Sequence, residues 1–101
     1  MDIKVTIAGS VAKIHMKGRF DFIVHRAFKE AYDPLLNQNG VSSLEIDLGE
    51  VEYLDSSALG MLLLVRERAE AQGKPVVLSH PNATVAQILD IANCKKLFTI
   101  I

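Results

Sequence analysis

A lone cysteine, Cys94, excludes an internal disulfide framework. Charge of one sign is lacking too: 11 Lys and Arg stand against 12 Asp and Glu, a formal net charge of −1. A nucleic-acid binder needs a basic stripe, and there is none, so no nucleic acid is expected as a partner. Long apolar runs are also missing. The longest, Met61 to Val65, is far short of the roughly 20 residues that cross a bilayer, so no membrane insertion is expected. The start, Met1-Asp2-Ile3-Lys4, shows no basic segment followed by an apolar one, so no signal peptide is expected. There is no repeat, low-complexity segment or linker. What remains is a chain of 101 residues, half of them hydrophobic. That is enough for one domain with a real core and too little for two. One soluble, cytoplasmic domain spanning residues 1–101 is expected.

Hydrophobic periodicity supplies the fold class. Ile3, Val5 and Ile7 alternate with polar residues, as do Ala12, Ile14 and Met16 after Gly9-Ser10. That is a hairpin pattern. Gly18-Arg19-Phe20-Asp21 breaks the alternation. From Ile23 the spacing of Val24, Ala27, Phe28, Ala31, Leu35 and Leu36 becomes helical. Pro34 should kink or restart this helix, with Asp33 as a cap, and Asn39-Gly40 should stop it. Leu44, Ile46 and Leu48 give a third strand. A second helix is expected from about Ser57 to Gln72, with Gly73 as its stop signal. Val76-Val77-Leu78 suits a strand buried on both faces. Pro81-Asn82 opens a third helix with a stripe of Val85, Ile88, Leu89 and Ala92, and residues 97–101 form a closing strand. Strands alternating with helices imply an α/β domain: a mixed central sheet of about five strands with helices packed on it.

The informative stretch runs from Leu48 to Gly60, where a strand gives way to a helix. In open α/β sheets ligands and partners meet the fold at such points. Asp55, Ser56 and Ser57 are good capping residues, and capping alone would explain them. Three features favour more. Asp47, Glu50, Glu52 and Asp55 crowd acids before the serines. A phosphate adds about −1.5 to −2 charges. A helix N-terminus can hold that charge, whereas a partner pressed on the same acidic surface would feel it strongly. Next, Ala58, Met61, Leu62, Val65 and Ala69 form one helix face, while Leu59 and Leu63 fall on the charged side. They mark a docking surface, unless another helix or the chain end covers them. Last, Gly60 in the first turns costs about 1 kcal/mol relative to alanine. It suggests close approach by a partner or a neighbouring loop, or else simple tolerance.

Leu54-Asp55-Ser56-Ser57-Ala58-Leu59-Gly60 followed by an apolar helix resembles the signature of the STAS domain, the sulfate transporter and anti-sigma factor antagonist family. Gly18-Arg19-Phe20-Asp21 resembles that family's second landmark. The element order agrees over nearly the whole chain. The resemblance implies a single STAS-like domain acting as an anti-sigma factor antagonist-like switch. Its phosphorylated residue would be the serine directly after the aspartate, Ser56, with Ser57 as the alternative. The implied partners are an anti-sigma factor that doubles as serine kinase, or a response-regulator-type regulator, and a serine phosphatase. The unmodified form binds its partner and the phosphorylated form is released. The implied partner surface comprises Gly18, Arg19, Phe20, Asp21, Asp55, Ser56, Ser57, Leu59, Gly60 and Leu63, with Asp21 and Asp55 flanking the serine. The chain is expected to be a monomer when free. The second class is a constitutive STAS subunit docked on a transporter ATPase of lipid-trafficking type. Such subunits tend to carry threonine at the serine position, so the Ser-Ser pair favours the switch. Two departures stand out. Ala58 replaces the family's usual glycine, and the further helix often found after the last strand is not expected within residues 1–101.

No catalytic constellation is visible, and no enzyme activity is expected. His15, His25 and His80 are scattered without metal-ligand spacing. The nucleophile elbow Gly-x-Ser-x-Gly is absent, as is a Gly-rich phosphate loop. Neither metal nor cofactor is expected. Arg19 either meets a phosphate or pairs on the surface with Asp21 or Glu52, and the pairing is preferred. Cys94 is expected to be a buried thiol or a modestly exposed surface one, with no redox-sensing role.

Overall fold

The computed structural model describes all of residues 1–101. Its strands are β1 (Asp2–Ala8), β2 (Val11–Phe20), β3 (Ser43–Leu54), β4 (Val76–Ser79) and β5 (Thr99–Ile100). The helices are α1 (His25–Leu36), α2 (Ser56–Ala71) and α3 (Ala83–Ile91). Single 3₁₀ turns at Phe22–Val24 and Cys94–Lys96 precede α1 and β5. The strands lie in one five-stranded sheet in sequence order. β1 is antiparallel to β2, and every other neighbouring pair is parallel.

Register explains the burial. Ala12 sits beside Leu44 and Val76, and Ile14 beside Ile46 and Leu78. All of these are buried and share one face of the sheet. The alternate residues build the other face, where Lys13 pairs with Glu45 at 3.3 Å, His15 with Asp47 at 3.2 Å and Lys17 with Glu50 at 3.8 Å. One face apolar and one face charged is the reason for the clean period-two signal. It also corrects β4: Val77 is only half-buried, beside Glu45 on the charged face.

Two strands outlast their alternation. β2 continues through Gly18-Arg19-Phe20, and β3 through Gly49 to Leu54. Register shifts between His15 and Lys17 and between Gly18 and Arg19 disguise the pattern. Gly18 has φ of 109°, a backbone that side-chain-bearing residues rarely adopt. The chain then turns into α1, whose Phe28 and Tyr32 pack in an edge-on series with Phe20 (centroids 5.1 and 5.2 Å apart). Pro34 neither breaks nor restarts α1, and Asp33 is not a cap. The proline lies in the last turn, and Asp33 pairs with Lys29 at 3.3 Å. The end of α1 is held from elsewhere: buried Lys74 donates to the carbonyls of Leu35 (2.8 Å), Leu36 (2.9 Å) and Gln38 (2.9 Å). Of the stripe on α1, Ala27 is exposed, and on α3 the buried residues are Val85 and Leu89. The closing strand shrinks to two residues because the 3₁₀ turn uses up the segment before it. No helix is long and apolar enough to cross a membrane.

Candidate functional site

The parallel pair β2 and β3 ends level. Phe20 is the partner of Leu54, and the Asp55 N–H donates to the Phe20 carbonyl at 3.3 Å. Asp21 and Asp55 therefore leave the sheet side by side, each into a helical turn. The bulge after Gly18 sets this register, so Gly18 acts by shaping the backbone. Asp21 caps the 3₁₀ turn, its carboxylate accepting the Ile23 N–H at 3.0 Å.

Asp55 is the N-cap of α2. One of its oxygens accepts the Ala58 N–H at 2.9 Å and the Ser57 hydroxyl at 2.7 Å. These two bonds, the Ser57 hydroxyl first, pull the Asp55 pKa below the usual aspartate range. Ser57 is thus half-buried and engaged. Ser56, the first residue of α2, is exposed and its hydroxyl has no partner in the chain. Its neighbourhood also includes the first N–H groups of α2, which no helical carbonyl can reach. A phosphate on Ser56 would meet free donors and the positive end of the helix dipole.

The other members of the implied partner surface are placed as follows. Ala58, Met61, Leu62, Val65 and Ala69 are all buried, so the core face of α2 is the one its sequence indicates. Leu63 is exposed, and neither a helix nor the chain end covers it. Leu59 is half-buried against the core. Gly60 is open: a Cβ there meets nothing within 4 Å, which removes the neighbouring-loop explanation. Phe20 has to be corrected as a contact residue. It is fully buried between α1 and the sheet and supports the surface from beneath. Arg19 lies 4.9 Å over the Tyr53 ring and 3.8 Å from Asp21, in line with surface pairing.

The acidic surface is smaller than the sequence suggests. Asp47 is seven residues, about 23 Å of strand, before Leu54. It sits between His15 (3.2 Å) and His80 (3.7 Å). Glu50 faces Lys17. Glu52 and Asp55 remain near the serine, with Asp21 joining them from the neighbouring loop. Three residues escaped the sequence reading: Phe22 and Ile23, 66% and 89% exposed, and Tyr53. The signal was an apolar pair placed directly after a capping aspartate. Phe22 stacks on His25 at 5.2 Å. Ile23 has no cover. Like Leu63, they are exposed apolar side chains on the segments that follow or precede Asp21 and Asp55, and exposed apolar side chains of this kind mark protein-binding surfaces. No group of three or more His, Cys, Asp or Glu is arranged to hold a metal ion.

Comparison with known proteins bears on the family and the fold. The family model described as "Mlab, STAS domain" matches residues 3–99. A STAS-domain containing protein of Pseudomonas aeruginosa is 39% identical over 92 residues, covering 91% of this chain and 89% of that protein. Solved structures share the fold at low identity. The first is a Thermotoga maritima protein described as an anti-sigma factor antagonist. It has a TM-score of 0.86 and 22% identity, covering 97% of this chain and 84% of the other. The second is the anti-sigma factor antagonist SpoIIAA in its unphosphorylated form, with a TM-score of 0.82 and 16% identity, covering 99% and 88%. The phosphorylated form of SpoIIAA, from Bacillus, gives a TM-score of 0.73 at 16% identity, covering 99% and 91%.

Proposed function

The chain belongs to the STAS-domain family, and on that premise we propose that it is a partner switch controlled at Ser56. Unmodified, it binds a regulatory protein across the surface formed by the starts of α1 and α2. Phosphorylation of Ser56 by a serine kinase of the anti-sigma factor type releases that partner, and a serine phosphatase restores binding. The reading is regulatory rather than enzymatic, in a cytoplasmic setting.

The carrying observation is the contrast between the two serines. Ser57 is spent on Asp55 at 2.7 Å, whereas Ser56 is exposed and unbonded at the first position of α2. A kinase can reach the second and must break a bond to use the first. The physical asymmetry follows from the helix end. Inside the free protein a dianion beside unpaired N–H groups and the helix dipole is tolerated. At a docked surface the same dianion is desolvated beside Asp55 and Glu52, which is costly.

Affinity capture with Ser56→Ala and Ser56→Asp baits, compared by quantitative mass spectrometry, tests the proposal. A kinase-type regulator enriched on Ser56→Ala and depleted on Ser56→Asp is expected. Equal recovery on both would favour a constitutive docking subunit, such as one bound to a transporter ATPase, and would overturn the switch.

A further inference from the structure

β1 is the long free edge of the sheet. Its pairing with β2 runs without a bulge from Asp2 opposite Lys17 to Ala8 opposite Val11. The two-residue turn at Gly9-Ser10 makes Ala8 and Val11 a hydrogen-bonded pair. Antiparallel alternation then directs the N–H and C=O groups of Thr6, Lys4 and Asp2 towards β2. Those of Ile3, Val5 and Ile7 point out of the sheet and have no strand to meet. Their side chains lie on the helix-covered face, opposite Met16, Ile14 and Ala12. Those three are buried, yet Val5 is 37% and Ile7 46% exposed, because helix cover ends short of the edge. An unblocked strand with free backbone groups and an uncovered aliphatic row is a template for another strand.

We propose that the occupant is a second copy of this chain, its β1 paired antiparallel with the first to join two sheets into one. A two-fold axis perpendicular to the sheet keeps both helix-covered faces on the same side. Centred on Val5, it sets Val5 against Val5, and Ile3 of each copy against Ile7 of the other. Every outward N–H and C=O of Ile3, Val5 and Ile7 then finds a partner, and six aliphatic side chains close over the seam. On the charged face Lys4 meets Thr6 and Asp2 meets Ala8, so no like charges stand opposite. Centring on Lys4 would oppose two lysines, which is unfavourable. The edge is about 24 Å long and its contact covers about 300 Å² per copy, well below the ~800 Å² of a standard interface. The dimer is therefore weak and concentration-dependent, and dilute protein is monomeric. Lys17 and Gly18 adjoin the start of β1, so antiparallel pairing carries the two Ser56 sites to opposite ends of the joint sheet, both open. The inference is independent of whether Ser56 is phosphorylated.

Sedimentation velocity on the full chain, from about 10 μM to about 1 mM, should show a coefficient rising towards dimer. Val5→Lys and Ile7→Lys should stay monomeric over the same range with unchanged circular dichroism. In the unmodified protein, amide exchange at Ile3, Val5 and Ile7 should slow several-fold as concentration rises. Lys4 and Thr6, already paired with β2, should not change. Three results would overturn the proposal: a monomer throughout, a dimer undiminished in the folded lysine variants, or a dimer whose Ile3, Val5 and Ile7 amides exchange as fast as in dilute protein.

Discussion

Replacing Asp55 by alanine separates the two roles of the residue before Ser56. The carboxylate holds the Ala58 N–H at 2.9 Å and the Ser57 hydroxyl at 2.7 Å. Losing an N-cap of this kind costs about 1 kcal/mol, within a range of about 0.5–2. The Ser57 hydroxyl is only half-buried and re-bonds to water, so it adds little. For a domain of this size 1 kcal/mol moves Tm by about 4–8 °C, which is the drop expected at pH 7. The pH dependence has a definite sign. Asp55 has a depressed folded pKa. Its ionised form therefore contributes stability above the ordinary aspartate pKa of ~3.9, and that contribution is lost as pH falls through the folded value. Melting curves of Asp55→Ala and the unmodified chain, recorded by circular dichroism between pH 7 and about pH 2, should converge at the acid end. Because both proteins share every other carboxylate, the difference isolates this one. Equal Tm at pH 7, or a gap that stays constant into acid, would refute the capping geometry. The substitution also frees the Ser57 hydroxyl, so kinase treatment of Asp55→Ala should give some phosphate on Ser57.

Other substitutions probe the remaining structure. Gly60→Ala should raise stability by up to about 1 kcal/mol in chemical denaturation, since the new methyl meets open space. A destabilised variant would mean something fills that space. Lys74→Met leaves three carbonyls at the end of α1 without their donor and should cost about 2–4 kcal/mol by urea titration; a neutral result would show that water replaces the ammonium freely. Leu63→Glu should lower partner affinity about tenfold in calorimetry while changing Tm by no more than a few degrees, because Leu63 is exposed. Phe20→Ala should instead cost about 3–5 kcal/mol, as a core aromatic does, and a mild effect would return Phe20 to the surface.

Much of the fold is legible in the chain because one face of the sheet is charged. Period-two alternation survives wherever that face exists, as in Leu44, Ile46 and Leu48. It fails at Gly18 and after Gly49, where register shifts put two residues against one and both strands run on unseen. Pro34 misleads for a local reason: it removes a single helix bond, to the carbonyl of exposed Glu30, close to the end of α1, and Lys74, distant in sequence, satisfies the carbonyls beyond it. In the candidate site, Asp55, Ser56 and Ser57 are readable as a cap. Which serine is free is not, since that depends on where the Ser57 hydroxyl turns. Phe20 and Ile23 show the same limit. Both are apolar residues in one short segment, and only the turn geometry puts Phe20 inside and leaves Ile23 89% exposed.

The most direct test pairs phosphate mapping with binding on the same sample. The purified chain is treated with its cognate kinase and ATP, digested and mapped, then titrated against its partner before and after modification. One phosphate on Ser56 is predicted, with partner affinity reduced at least tenfold and amide spectra changed only around the start of α2. A phosphate found elsewhere, or undiminished affinity with Ser56 fully modified, would contradict the account.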